Sequence, residues 1–236
     1  MRPLRPIERS TELARVYVWE WPVRVAHWVI VGAILVLSAT GYVVAHPPGR
    51  WAPLGTVKAV HSYAAIALTL AFASRVAWMF IGNRWAQWDQ LLPVRRERWR
   101  GLGPTLEWYL FVLRKPPGYV GHNPLAGAIY TLVFLIELLM ITTGFAMYSV
   151  SAPYWSPMHA FGFLGPLLGG LQTARWLHHA GMWLLLGFMV HHVYSAVLMS
   201  QVEANATMES IFSGYKFVPE EDVVSPRVRR ATPPSP

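Results

Sequence analysis

LHHAGMWLLLGFMVHHVYSAVLM, residues 177–199, is an apolar run long enough to cross a bilayer, and it carries a histidine doublet near each end. His178 and His192 are fourteen residues apart, so on a helix their rings lie within roughly 40° of one face and about 21 Å apart along the axis. The hydrocarbon core of a bilayer is about 30 Å thick, so one ring lies near each membrane surface. Since imidazoles are costly in lipid, both rings require a functional reason.

The doublets leave other combinations open. On the same helix, the 178/191 and 179/192 pairs differ in direction by roughly 60°, and the 179/191 pair differs by roughly 120°. Helical spacing therefore favours His178 with His192, but only mildly.

The composition is that of an integral membrane protein. Of 236 residues, 54% are hydrophobic and only 14% are charged, whereas soluble domains carry about 25% charged residues. The chain has no cysteine, which excludes disulfides, thiolate-bound iron–sulfur clusters and thioether-linked haem. Any redox cofactor must therefore be held by other ligands.

Apolar run length predicts an all-α bundle of four membrane-spanning helices in one domain, residues 1–217, and we find no internal repeat. The residues after 217 are rich in Pro, Ser and charge, which predicts a disordered cytoplasmic tail over 218–236. A short interfacial helix is predicted within Thr105–Arg114. The four predicted spans are about 23–44, 57–81, 125–150 and 177–199.

The distribution of basic residues sets the orientation. Sixteen Lys and Arg residues lie in the amino-terminal segment, the second loop and the tail, and three lie in the other two loops. The positive-inside rule therefore predicts both termini on the cytoplasmic side. This bias also accounts for the net charge of +8, which consequently gives no indication of nucleic-acid binding.

The topology sorts four histidines into two pairs at matched depth. His27 and His192 lie toward the cytoplasmic side, and His61 and His178 lie toward the outer side. Facing side chains in a helix bundle build cofactor sites in this way. Two separated two-histidine levels do not form a tetrahedral zinc site, so we expect two b-type haems with these four residues as axial iron ligands.

Several motifs together resemble the cytochrome b subunits of membrane-bound nickel–iron hydrogenases, within the wider group of b561 and formate dehydrogenase gamma-like dihaem cytochromes. The resemblance runs from about Tyr17 to Lys216. It is carried by YVWEWPVRVAHW (17–28), TGY (40–42), Arg75, GNR (82–84), GHNPLA (121–126), TGFAMY (143–148), WLHHAGMW (176–183), HVY (192–194) and GYK (214–216).

The resemblance implies a two-haem subunit in the bacterial cytoplasmic membrane that anchors the small and large subunits of a hydrogenase at the outer face. It selects His178 and His192 from the doublets. Electrons from the iron–sulfur chain of the small subunit would enter at the outer haem, cross to the inner haem and reduce quinone there. Hydrogen would be split in the partners, so this chain is an electron-transfer subunit of a hydrogen:quinone oxidoreductase.

Other residues are candidates for contacts to these groups. Arg24, Arg75 and Arg175 could pair with haem propionates, although each also suits an ordinary arginine near a membrane interface. His122 and Asn123 stand at the level of the inner haem and could donate hydrogen bonds to a quinone. Alternatively, Asn123 is only the N-cap of the third span.

Glu137 departs from the family pattern. An ionisable group in the middle of a span is expected to face the bundle interior and to have a partner. It is interpreted either as a protonated structural residue or as part of a proton route to the quinone site.

Two rival functions share parts of this pattern. A cytochrome b subunit of formate dehydrogenase or thiosulfate reductase type, or a stand-alone b561-type cytochrome, would have the same haem geometry. A transporter or passive anchor would show broken helices, inverted repeats or polar midplane sites, and only Glu137 fits.

Overall fold

In a computed structural model, residues 13–49, 53–114 and 117–219 are described, and four helices in them are long and apolar enough to cross a membrane. The predicted four-helix bundle is therefore confirmed. The elements in chain order are β1 (Leu13–Tyr17), α1 (Trp21–Ala45), α2 (Leu54–Ile81), α3 (Arg96–Tyr109), α4 (Pro124–Ser151), α5 (Leu164–Leu167), α6 (Leu171–Glu203), α7 (Ser210–Ser213) and β2 (Tyr215–Pro219).

The helices extend beyond the predicted spans, most of all α6, which runs from Leu171 to Glu203 instead of 177–199. Polar residues continue the backbone hydrogen bonding outside the apolar run, so run length indicates only the part suited to lipid. The starts of α1 and α4 follow their sequence signals, with proline in the first turn of each.

The bundle is made of two helix pairs. Helix α1 packs along α2, and α4 packs along α6. Among the described residues, the most extensive direct contact between the two helix pairs is between α2 and α4. Near the middle of the bundle, a small apolar cluster joins α1, α2 and α6, and Ile136 of α4 packs against it. The cluster consists of Ala33, Ile34, Leu68 and Leu185. This apolar layer therefore separates the two ends of the bundle interior.

The end of the bundle that carries both termini, here the termini end, has a feature that the all-α prediction missed. Strands β1 and β2 pair antiparallel, with Tyr17 opposite Tyr215 and Leu13 opposite Pro219. Val218 and Pro219 thus belong to a strand, whereas the sequence assigned them to a disordered tail. Residues 220–236 of that predicted tail lie outside the described residues.

The sheet is anchored to the helices. Val18 is fully buried in a cluster with Val23, Ala86 and Val120, and the Trp19 indole donates a hydrogen bond of 3.0 Å to Ser210 Oγ. The opposite end of the bundle, here the far end, carries the loops after α1 and α4.

The helix predicted within 105–114 is observed as α3, from Arg96 to Tyr109. The sequence prediction missed the first turns of α3 because they are charged and contain no apolar run. It ends earlier because the chain turns after Leu110, where Phe111 adopts the left-handed conformation with φ of 61°.

Candidate functional site

The four sequence-predicted histidines meet in the predicted pairs. The ring centres of His27 on α1 and His192 on α6 are 6.2 Å apart at the termini end. The ring centres of His61 on α2 and His178 on α6 are 6.5 Å apart at the far end. The planes within each pair are inclined by 56°. Each pair therefore bridges the space between α6 and the α1–α2 pair.

These separations fit a shared metal ion. A metal–imidazole bond is about 2 Å long and the nitrogen is roughly 1 Å from its ring centre, so two imidazoles on opposite sides of one metal have centres about 6 Å apart. Both pairs match this spacing. The spacing of each pair is therefore compatible with one metal atom held between the two imidazoles.

At the far end, threonines fix the tautomers of both imidazoles. Thr40 Oγ1 donates to the Val36 carbonyl at 2.6 Å and lies 2.9 Å from His61 Nδ1. Because its one proton is used on the carbonyl, the hydroxyl oxygen accepts from Nδ1–H. The second nitrogen, Nε2, is then unprotonated and available to a metal.

The same arrangement recurs on the other helix pair. Thr143 Oγ1 donates to the Leu139 carbonyl at 2.6 Å and lies 2.8 Å from His178 Nδ1. A glycine follows each threonine and packs against the same ring. A Cβ at Gly41 would lie 3.3 Å from His61 Cε1, and one at Gly144 would lie 3.5 Å from His178 Cε1.

This local repeat was missed by the sequence analysis. The signal was present as two Thr-Gly dipeptides, 40–41 and 143–144, near the ends of the first and third spans. They were noted only as separate family motifs, because a hydroxyl–imidazole contact depends on the rotation of two helices about their axes.

At the termini end, only one imidazole of the pair is held by a hydroxyl. Tyr130 OH lies 3.3 Å from His192 Nδ1, and the Tyr130 ring also packs edge-on against Phe188 and His122. His27 Nδ1 is buried and has no hydrogen-bond partner among the described residues. The Trp28 ring packs edge-on against His27, with 5.1 Å between centres.

The second histidine of each doublet lies outside the pairs. His179 is exposed, accepts a hydrogen bond from the Trp183 indole and faces His46 at 6.2 Å between ring centres. His191 is exposed and contacts Ser195. The structure therefore brings together the residues that helical spacing favoured.

The three candidate arginines differ in position. The Arg24 guanidinium donates to the Phe212 carbonyl. Arg75 is buried, donates to the Ala86 carbonyl at 3.2 Å and lies over the Phe134 ring. Arg175 is exposed in the first turns of α6. Of these, Arg75 is the buried cation of the termini-end interior.

His122 and Asn123 have separate roles in the structure. Asn123 Oδ1 accepts from the Ala126 amide at 2.7 Å, so it is the N-cap of α4. His122 Nδ1 is buried without a partner among the described residues, and its ring packs 4.7 Å from the ring of Trp19. His122 is therefore the residue of the two whose buried polar atom has no partner among the described residues.

The surroundings of His122 are cationic. Burial lowers the pKa of His122 well below its usual value, and the charges of Arg75, Lys216 and Arg98 lower it further. Burial also lowers the pKa of Lys216 to about 8, with Glu203 opposing the shift. His122 is consequently neutral at physiological pH.

Glu137 is buried with 4% of its surface exposed, as its position in a span predicted. The expected partner is not found, because its carboxyl makes no hydrogen bond or ion pair with any residue that the structure describes.

Comparison with known proteins shows which family the chain belongs to. Residues 18–214 match the family model described as prokaryotic cytochrome b561. A protein of Bradyrhizobium diazoefficiens is 36% identical over 217 residues, covering 88% of each chain, and one of Cupriavidus necator is 36% identical over 210 residues, covering 85% of this chain and 86% of the relative. Both are named probable Ni/Fe-hydrogenase B-type cytochrome subunit. A protein of Escherichia coli (strain K12), named probable Ni/Fe-hydrogenase 1 B-type cytochrome subunit, is 32% identical over 223 residues, covering 89% of this chain and 94% of the relative.

Proposed function

Because this chain belongs to the prokaryotic cytochrome b561 family, we propose that it is the dihaem cytochrome b subunit that connects a membrane-bound nickel–iron hydrogenase to the quinone pool. Its family and its four apolar helices make it a multi-pass membrane cytochrome that binds b-type haem. The number of haems, the acceptor and the partners are the parts that we propose.

The observation that carries the proposal is the pair of facing imidazoles at each end of the bundle, 6.2 Å and 6.5 Å between ring centres. His27 and His192 would hold one haem and His61 and His178 the other, each through Nε2. Bound haem supplies one-electron transfer. The separation of the two levels along α6, about 21 Å for fourteen residues, corresponds to most of the thickness of a bilayer core.

The chain's own residues prepare these sites. Thr40 and Thr143 orient the far-end rings and keep Nε2 free of a proton, and such partners also raise the basicity of a metal-bound imidazole. The apolar layer around Leu68 and Leu185 keeps water out of the space between the two levels. Arg75, and more peripherally Arg24 and Arg175, would balance haem carboxylates.

The orientation follows from the basic residues. We infer that both termini are cytoplasmic and that the far end, with His61 and His178, faces outward across a bacterial cytoplasmic membrane. The small and large hydrogenase subunits would then dock at the far end. This assignment is supported by the relatives, each of which is named as a probable Ni/Fe-hydrogenase B-type cytochrome subunit.

Quinone would bind at the termini end. His122 has a buried Nδ1 without a partner among the described residues, and such a group can hydrogen-bond to a quinone oxygen in an otherwise aromatic environment. Asn123 uses its carbonyl oxygen as a cap and its side chain also hydrogen-bonds to Tyr109, so only one of its two amide hydrogens would be left for a quinone. We propose that the cytochrome domain, predicted over residues 1–217, extends to the end of β2 at Pro219.

Two measurements test the proposal. The purified protein should show a b-type reduced-minus-oxidised spectrum with two haems per chain, and His192→Ala should lose one of them while the matched His191→Ala keeps both. Two haems retained in His192→Ala would refute the ligand assignment, and the absence of any haem band would refute the function.

The partner is tested separately by co-purification. We expect the large and small subunits of a nickel–iron hydrogenase to accompany the chain from detergent-solubilised membranes. Subunits of a formate dehydrogenase or thiosulfate reductase in their place would overturn the hydrogenase assignment and leave the cytochrome assignment intact.

A further inference from the structure

Glu137 occupies a position midway between the two histidine pairs. It lies seven residues after Tyr130, whose hydroxyl contacts His192, and seven before Gly144, which packs against His178. Seven residues bring a helix back to within roughly 20° of the same direction, so these three positions form one stripe on α4. Glu137 therefore faces the same interior as both pairs, about 10 Å along the helix from each level.

The surroundings of Glu137 at its own level are apolar. The cluster of Ala33, Ile34, Leu68 and Leu185 lies at this height, and Ile136, the neighbour of Glu137, packs against it. The other titratable and charged side chains of the four long helices that are not exposed lie at or beyond the two histidine levels. They are Arg24 and His27 on α1, His61 and Arg75 on α2, Tyr130 on α4, and His178, His192 and Glu203 on α6.

A carboxyl in this position responds to charge at either level. It is 4% exposed and makes no hydrogen bond or ion pair with any described residue, so no neighbouring cation fixes its ionised form. Low-dielectric surroundings screen its interaction with a distant charge only weakly. Its protonation is thus coupled to any gain or loss of positive charge held by the imidazole pairs.

We propose that Glu137 is a proton-binding site shared by the two haem sites, which takes up a proton when either site is reduced and releases it on oxidation. This inference rests on the proposed function, since it requires a haem at each imidazole pair. It goes beyond that function by assigning a proton-binding site, the Glu137 carboxyl, to the apolar layer between the two histidine levels.

The charge balance of the coupling is simple. One electron reduces a ferric site to the ferrous state and removes one positive charge, and a proton from the aqueous phase converts the Glu137 carboxylate to the neutral acid. By linkage, reduction raises the proton affinity of Glu137 by the same factor by which protonation favours reduction. Because Glu137 is equidistant from both levels, the two sites should be affected alike.

The test is a redox titration of the purified dihaem protein at a series of pH values, for the wild type and Glu137→Gln. At low pH the wild-type acid is neutral like the amide, so the midpoint potentials of the two proteins should agree. At high pH the carboxylate favours the ferric state, so both wild-type potentials should fall below those of Glu137→Gln. Glu209→Gln, the same change at a surface position, should follow the wild type.

Infrared redox difference spectra give a second readout that reports the protonation of the carboxyl directly. Reduction of the wild type should produce the C=O stretch of a protonated carboxyl, and Glu137→Gln should lack it. If Glu137→Gln fails to retain haem, Glu137→Asp keeps a carboxyl at this position and should shift the band. No band in the wild type, or a band that is unchanged in Glu137→Asp, would overturn the proposal.

The outcomes separate the two proposals. Identical pH profiles for wild type and Glu137→Gln, or a difference confined to one haem, would overturn the shared proton site while leaving the cytochrome function in place. A protein that binds fewer than two haems would instead overturn the proposed function on which the inference rests.

Discussion

The two ends of the bundle hold their imidazole pairs by different means. At the far end, Thr40 and Thr143 bind Nδ1 of both rings at 2.9 and 2.8 Å. At the termini end, Tyr130 contacts one ring at 3.3 Å and the other ring has no hydrogen-bond partner among the described residues. The far end is therefore preorganised by hydrogen bonds, and the termini end is positioned mainly by aromatic packing and burial.

The difference also extends to charge. The termini end contains buried cationic residues, Arg75, Arg98 and Lys216, around a neutral His122. No charged side chain is buried at the far end within the described part of the chain. The far end is thus suited to holding its imidazole pair in one geometry. The termini end is suited to binding a polar or anionic ligand beside its imidazole pair.

The largest effect is expected when the imidazole pair of the far end is disrupted. His61→Ala should remove one imidazole of that pair and abolish electron transfer from hydrogen to quinone, while hydrogenase activity of the complex with an artificial dye persists. The matched variant His179→Ala changes an exposed histidine of the same region and should retain quinone reduction. Unchanged quinone reduction in His61→Ala would show that the far-end pair is not on the electron route.

The next effect tests the buried charge of the termini end. The pKa of Lys216 is lowered from 10.5 to about 8, so its charged form is disfavoured in the folded state. Between pH 8 and 10.5 the unfolded chain binds more protons than the folded chain, and stability rises with pH. At pH 7, Lys216→Met should therefore be more stable than the wild type by up to about 3 kcal/mol.

Thermal unfolding of the detergent-solubilised protein from pH 7 to pH 10 measures this effect. The advantage of Lys216→Met should shrink as pH rises, and Lys58→Met, at an exposed lysine of α2, should show no such trend. A constant difference across this range would mean that Lys216 is charged in the folded protein throughout.

A smaller effect sharpens the comparison at the threonines. Thr143→Val keeps the shape of the side chain and removes the acceptor for His178 Nδ1–H. Loss of a hydrogen bond worth about 1 kcal/mol makes the imidazole less basic and should raise the midpoint potential of the haem that we propose at the far end by about 40 mV. Thr40→Val should do the same, because its geometry matches.

The control for these variants is Thr142→Val. Thr142 bonds the same Leu139 carbonyl but contacts no imidazole in the described structure. Equal shifts in Thr142→Val and Thr143→Val would attribute the effect to the helix backbone instead of the ligand.

The smallest effect is expected at Tyr130. Its 3.3 Å contact with His192 is longer than either threonine contact, so Tyr130→Phe should shift the potential of the termini-end haem by less than Thr143→Val shifts that of the far-end haem. Redox titration of both variants in one preparation makes the comparison. A larger shift in Tyr130→Phe would reverse the order of preorganisation inferred for the two ends.

Part of this architecture could be predicted because it depends on one-dimensional periodicity. The spans follow from apolar run length, and the pairing of His27 with His192 follows from depth in a four-span topology. The contacts of Thr40 and Thr143 could not be predicted in this way, because they depend on how each helix is rotated toward its neighbour.

The β1–β2 pairing was missed for a related reason. Each strand has five residues, and they are separated by almost the whole chain, so no hairpin signal joins them. For Glu137, one property could be predicted from the sequence and another could not. The cost of a carboxylate in lipid predicted that it faces inward, but the absence of a partner among the described residues appears only in three dimensions.

The pairing of the first strand with the last has a consequence for biogenesis. β2 spans residues 215–219, so β1 can pair with it only after these residues have been synthesised. Until then the segment that precedes α1 lacks the partner strand that fixes it at this end of the bundle. The pairing of β1 with β2 is therefore a late step in the maturation of the fold.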